Sequence, residues 1–205
     1  MDNRVYIIDD DVDHAQALAR LLCDEGYSSE IFSDPREFLS SYVPSGACCV
    51  LSDVKMPQMN GFELVTDLRA LDPSAAIILM TGWPRAADAV DAVRQFEAID
   101  YLSKPIDRDR LLPALDEALQ WSANHREAES RLNALTPRER QVFELLVQGH
   151  TNKSVAAALG LSPKTVEDHR AAVMSKTLSG SVANLVRLSR ALQGKTPSPE
   201  PSRAN

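Results

Sequence analysis

Along the first 120 residues, short apolar runs alternate with longer stretches in which apolar residues recur every three or four positions. Five runs read as strands: Val5–Ile8, Ser29–Phe32, Ala47–Leu51, Ala76–Met80 and Ile99–Leu102. The stretches near 13–25, 35–42, 61–71, 85–95 and 107–121 carry the period of amphipathic helices. Regular alternation of strand and helix predicts an α/β, doubly wound, five-stranded parallel sheet with helices on both faces.

Past Trp121 the pattern turns polar and helix-prone (SANHREAESRLNA) with neither Gly nor Pro, so the last helix is expected to continue as a semi-rigid linker. From Thr136 onward the signals are those of short, well-punctuated helices. Thr136-Pro137-Arg138-Glu139 is a capping box with Pro at the first helical position, and Val142, Phe143, Leu145 and Leu146 make an apolar stripe that ends at Gly149. A second helix over 152–159 stops at Gly160, Ser162-Pro163 starts a third that runs to about Lys176, and a fourth covers 181–192. The expected organisation is an α/β domain over 1–122, a helical linker over 123–135, a small all-α four-helix domain over 136–193 and a disordered Pro- and Ser-rich tail over 194–205.

Composition adds limits. No run approaches eighteen apolar residues and the N-terminus turns acidic within ten positions, so neither a membrane span nor a signal peptide is expected and the protein should be cytoplasmic. Cys23, Cys48 and Cys49 sit in apolar runs and read as reduced core thiols. The net charge of −7 hides an asymmetry: residues 1–122 hold 10 Lys/Arg against 22 Asp/Glu, whereas 123–193 hold 10 against 6. Such a split points to cations as partners of the first part and a polyanion as partner of the second.

Polar residues in the α/β part fall just past the carboxyl ends of the apolar runs. Asp9, Asp10 and Asp11 follow VYII, Asp53 follows ACCVLS, Thr81 follows AIILM and Lys104 follows IDYLS. In a doubly wound parallel sheet these ends share one edge, and ligands bind in the crevice at the topological switch point. Converging carboxylates need a cation, and oxygen donors with no His or Cys nearby favour Mg²⁺ over zinc. A magnesium ion, a lysine and a hydroxyl suit in-line phosphoryl transfer to a carboxylate, with Asp53 as acceptor and Asp9 and Asp10 on the metal. Asp11 reads as a helix cap or a group behind the ligands.

In the second part, the connection Gly160-Leu161-Ser162 allows only a tight corner between two helices, which can push the later one into a major groove. Lys153, Lys164, Arg170 and Lys176 supply charge for DNA phosphates.

The segments IIDDD, SDVKMPQMNG, MTG and DYLSKP, over about residues 4–120, resemble response-regulator receiver domains in order and spacing. LTPRERQVFELLVQG, NKSVAAALGLSPKTVEDHR and VMSK, between Leu135 and Leu192, resemble the LuxR-type helix-turn-helix domain of the NarL/FixJ class. The first resemblance implies a flavodoxin-like fold and a phosphoacceptor Asp53 served by a sensor histidine kinase. It further implies Mg²⁺ on Asp9, Asp10, Asp53 and the Lys55 carbonyl, Thr81 and Lys104 on the phosphoryl group, Tyr101 as a switching aromatic, and a cis Lys104-Pro105 bond. The second implies a recognition helix over 162–176, with Glu167, Asp168 and Ala171 facing bases and Thr165, His169 and Arg170 nearer the backbone. Together they imply a two-component transcription regulator rather than an enzyme acting on other substrates, which binds double-stranded promoter DNA as a homodimer when phosphorylated, activates, and has RNA polymerase as a further partner.

Several positions keep a second reading. Tyr101 can be a strand aromatic packed under the sheet, and Asp168 can pair with Lys164 one turn earlier instead of accepting from cytosine N4. His169 reads as a backbone-contacting or packed residue rather than a metal ligand. Val182, Leu185, Val186 and Leu192 offer either a dimer seam or an inner helix face. Thr177 stands where the family has an apolar residue. Two further departures flank the face that transmits the signal: Glu97, after Arg94-Gln95-Phe96, replaces a usual Gly, and Trp83-Pro84 follows Thr81, placing Trp83 near the pocket as a lid or reporter. An aspartate-nucleophile phosphohydrolase and a regulator acting by protein sequestration are the rival functions.

Overall fold

The computed structural model describes residues 4–83 and 98–192. The helix expected near 85–95, the Arg94 to Glu97 departure, Pro84 and the tail over 194–205 lie outside the described residues. In chain order the elements are β1 (Arg4–Ile8), α1 (Val12–Asp24), β2 (Ser28–Phe32), α2 (Pro35–Ser41), β3 (Cys48–Asp53), α3 (Gly61–Leu71), β4 (Ala76–Thr81), β5 (Asp100–Ser103), α4 (Arg108–Asn133), α5 (Pro137–Val147), α6 (Asn152–Leu159), α7 (Pro163–Lys176) and α8 (Val182–Ala191). The chain divides into two compact units, one reaching Ala123 and the other beginning at Asn124.

The first unit is built on a parallel sheet in the order β2-β1-β3-β4-β5. Every residue of β3 and β4 is buried, as central strands covered on both faces require, whereas β2 at the edge is partly exposed. Alternate residues feed two cores. Val5, Ile7, Cys49, Leu51, Ile78 and Met80 pack with Leu18 and Leu22 of α1 and Leu111 and Leu115 of α4. Tyr6, Ile8, Val50, Ile77 and Leu79 pack with Phe38, Leu64 and Leu68 of α2 and α3. Each fully buried Leu among them stabilises the fold by roughly 1.5–3 kcal/mol relative to an exposed one.

Helix starts follow the caps. Asp11 accepts from His14 N–H, Asp34 from Arg36 N–H, and Asn60 and Glu63 form a reciprocal capping box at α3. One cysteine departs from its expected place: Cys48 and Cys49 are buried, but Cys23 is exposed. Adjacent to buried Leu22 on a helix, it is turned about 100° away from the core, a direction that an apolar run does not reveal.

The second unit has a single core in which Ala128 and Leu132 of α4 join Val142, Phe143 and Leu146 of α5, Val155 of α6, Val166 and Val173 of α7, and Leu185 and Leu188 of α8. The helix predicted over 107–121 thus runs to Asn133. Of the four residues with two readings on α8 and just after it, Leu185 is buried in this core and Leu192 packs on it, while Val182 and Val186 are half-buried. Gly160, at φ 65°, closes α6 in the left-handed conformation that spares a Cβ clash.

Candidate functional site

From β1 the chain moves outward to β2 and then back past β1 to β3, so the crevice opens between the carboxyl ends of β1 and β3. Asp9 directly follows β1, Asp53 and Thr81 end β3 and β4, and Lys104 directly follows β5. Asp9, Asp53 and Thr81 are buried and Asp10 is exposed. One carboxylate oxygen from each of Asp9, Asp10 and Asp53 lies within 4.8 Å of the others.

The Lys104 ammonium stands 2.7 Å from Asp9 Oδ2 and 2.7 Å from Asp53 Oδ1. Burial alone would lower its pKa; the hydrogen bonds and charges of Asp53 and Asp9 more than offset that and raise it above the usual 10.5. Asp53 Oδ2 accepts from Lys55 N–H at 2.8 Å, and Thr81 Oγ1 accepts from Trp83 N–H at 3.1 Å. Gly61 is needed where it stands, because a Cβ there would lie 2.6 Å from the Asp53 carbonyl oxygen and 3.1 Å from Leu79 Cδ2. Three converging carboxylates, two of them paired with one ammonium, form a hard, electronegative oxygen set that fits a dication such as Mg²⁺.

The sequence premise that no histidine lies near these carboxylates is overturned. His14 Nδ1 is 2.6 Å from Asp9 Oδ2. Asp11 caps α1 through His14 N–H at 3.1 Å, which sets position 14 in the first turn, where its ring reaches back to the strand end. The usable signal was Asp11 itself: a cap two residues after Asp9 makes the third helical residue a neighbour of that carboxylate. Tyr101 is half-buried against the core on the α2–α3 face. Trp83 is 74% exposed, with Lys55 Nζ 5.8 Å from its ring centroid. The Lys104-Pro105 bond is cis.

In the second unit, α6, the Gly160 corner and α7 form the helix pair, with Thr151 and Ser162 as caps. Lys153, Lys164, Glu167, Asp168 and Ala171 are exposed; Thr165, His169 and Arg170 are half-buried. Lys164 Nζ lies 3.3 Å from Asp168 Oδ1 and 3.9 Å from Glu167 Oε2, so the pairing reading of Asp168 is realised in the free protein. Arg170 donates to Asn152 Oδ1 at 2.9 Å, linking α7 to α6.

The Lys176 ammonium lies 2.7 Å from Glu139 Oε2 in the free protein. Glu139 also accepts from Thr136 N–H at 2.7 Å; the Lys176 hydrogen bond first, and then that backbone donor, hold its carboxyl below the usual range. Thr177 is buried and donates to Val173 O at 2.7 Å, which explains how a polar residue is accommodated there. Among the described residues, no helix is long and apolar enough to cross a membrane.

Residues 5–116 match the family model of the response regulator receiver domain, and residues 133–189 match that of the luxR family of bacterial regulatory proteins. The chain is 36% identical over 191 residues to the transcriptional regulatory protein FixJ of Bradyrhizobium diazoefficiens, covering 90% of this chain and 93% of that protein. It is 33% identical over 186 residues to the tetrathionate response regulatory protein TtrR of Salmonella typhimurium, covering 89% and 90%. Among solved structures, full-length FixJ from B. japonicum is similar at 35% identity and a TM-score of 0.55, covering 93% of this chain and 97% of that one. The response regulator StyR is similar at 33% identity and a TM-score of 0.58, covering 93% and 99%. An acidic crevice at the switch point of one unit, a capped helix pair in the other and family matches to both place the chain among the two-component response regulators of the NarL/FixJ class.

Proposed function

We propose that Asp53 accepts a phosphoryl group from a sensor histidine kinase and that the phosphorylated protein binds promoter DNA through α6 and α7. The observation that carries this reading is the Lys104 ammonium held between Asp53 and Asp9 at the sheet's switch point. An Asp53 oxygen forms a bond to phosphorus as the N–P bond of a phosphohistidine breaks, the imidazole nitrogen keeping the electron pair. Lys104 and the Thr81 hydroxyl receive charge that develops on the phosphoryl oxygens. Asp9, Asp10, Asp53 and the Lys55 carbonyl would hold Mg²⁺, which would supply the remaining charge neutralisation. Inward movement of Thr81 and Tyr101 then shifts the protein towards a homodimer that activates transcription, with RNA polymerase as a further partner.

On DNA, Lys153, Lys164, Thr165, His169 and Arg170 meet phosphates and sugars, while Glu167, Asp168 and Ala171 face base edges. Asp168 can only accept, which suits cytosine N4 once Lys164 leaves it for a phosphate. Lys176, at the end of α7 and paired with Glu139 in the free protein, supplies a further charge for a phosphate.

Intact-mass and size-exclusion analysis with a small-molecule phosphodonor tests the first half. Wild type gains a single phosphoryl group only when Mg²⁺ is present and moves towards a dimer, and Asp53→Ala gains none. Equal labelling of Asp53→Ala would remove Asp53 as acceptor.

A further inference from the structure

Asp9 is 1% exposed, yet among the described residues it accepts from three donors. Asp11 N–H reaches Oδ1 at 3.0 Å, while the Lys104 ammonium at 2.7 Å and His14 Nδ1 at 2.6 Å share Oδ2. A carboxylate only accepts, so the imidazole carries its proton on Nδ1 in this contact. Of the roughly four lone-pair positions of a carboxylate, Oδ2 has filled two and Oδ1 one, which leaves a single acceptor direction, on Oδ1.

We infer that His14 is a positioning residue for the cation site: it fixes the Asp9 carboxylate so that the remaining Oδ1 lone pair is already aimed when a divalent ion arrives. This rests on the reading of the acidic crevice as a Mg²⁺ site. Lys104 cannot hold Asp9 alone, because its ammonium is shared with Asp53 and is drawn to any phosphoryl group placed there. His14 is anchored independently, since its own N–H is bound by the Asp11 cap at 3.1 Å and its place on α1 is thereby set. The proton on Nδ1 also keeps that nitrogen out of the ligand set, so the site remains one of hard oxygen donors suited to magnesium.

The decisive experiment is a calorimetric Mg²⁺ titration of the full chain as wild type, His14→Phe and His14→Asn, with thermal unfolding in the absence of metal to verify each fold. Phe keeps a ring and removes the donor; Asn places an amide nitrogen the same number of bonds from Cα as Nδ1. His14→Phe should bind Mg²⁺ about tenfold more weakly, while His14→Asn should stay within about twofold of wild type. Should His14→Phe not fold, His14→Ala carries the same expectation. Affinity in His14→Phe equal to or tighter than wild type overturns the positioning role and leaves the metal site standing, as does an Asn variant as weak as the Phe one. A wild type that binds no Mg²⁺ overturns both the metal reading and this inference.

Discussion

The crevice of the first unit and the exposed face of α7 use charge in opposite ways. In the crevice, groups from three distant stretches of sequence meet at 2.6–2.8 Å around two buried carboxylates, with Lys104 between Asp9 and Asp53 and His14 and Lys55 N–H behind them. On α7, Lys164, Glu167 and Asp168 come from a single turn, stand in solvent, and meet at 3.3–3.9 Å. Burial makes the first set strong and rigid; exposure leaves the second worth little in stability and ready to exchange partners. Group transfer profits from fixed dipoles, whereas a polyanion is met by charges that can be redirected.

The largest test of this contrast is Lys104→Ala. If its fixed ammonium stabilises the transfer, the rate of phosphorylation by a phosphodonor should fall about 100-fold, followed by intact mass. A fall below about threefold would mean that the locked geometry contributes little to the chemistry. Next comes Gly61→Ala, which forces a methyl group against the Asp53 carbonyl; it should destabilise the first unit by about 1–3 kcal/mol in urea unfolding and slow labelling of Asp53. An unchanged midpoint would show that the crevice is softer than its distances imply.

On the other side, Lys164→Ala should lower the slope of log binding constant against log salt for duplex DNA by about one unit. An unaltered slope would mean that Lys164 remains with Asp168 in the complex. The smallest effect sharpens the comparison within the second unit, where Glu139 and Lys176 are its counterpart of a fixed pair. Because the folded carboxyl of Glu139 is held below its usual 4.5, the pair stabilises above that pH, and the contribution is lost as pH falls through the folded value. Wild type should therefore melt above Glu139→Gln at pH 7, with the gap closing below about pH 4.5. A gap independent of pH would indicate packing rather than charge.

Much of the fold and of the crevice could be read along the chain because each residue at the sheet's carboxyl edge closes an apolar run. Asp9, Asp53, Thr81 and Lys104 needed only the rule that parallel strands point one way. What could not be read were the partnerships. His14 approaches Asp9 through the start of a helix, and Lys176 meets Glu139 across 37 positions, so neither pairing has a periodic signature. Cys23 misled for the converse reason: an apolar neighbourhood in sequence does not fix which side of a helix a residue occupies. The extension of α4 to Asn133 was foreshadowed by the absence of Gly and Pro, since polar composition alone does not end a helix.

One ammonium serving two carboxylates makes those carboxylates a linked pair. Charge added at Asp53 competes for Lys104 and is felt at Asp9, and an ion taken up at Asp9 is felt at Asp53. By thermodynamic reciprocity the two effects are equal in free energy: whatever factor a bound cation adds to the affinity for a phosphoryl analogue, the analogue adds to the affinity for the cation.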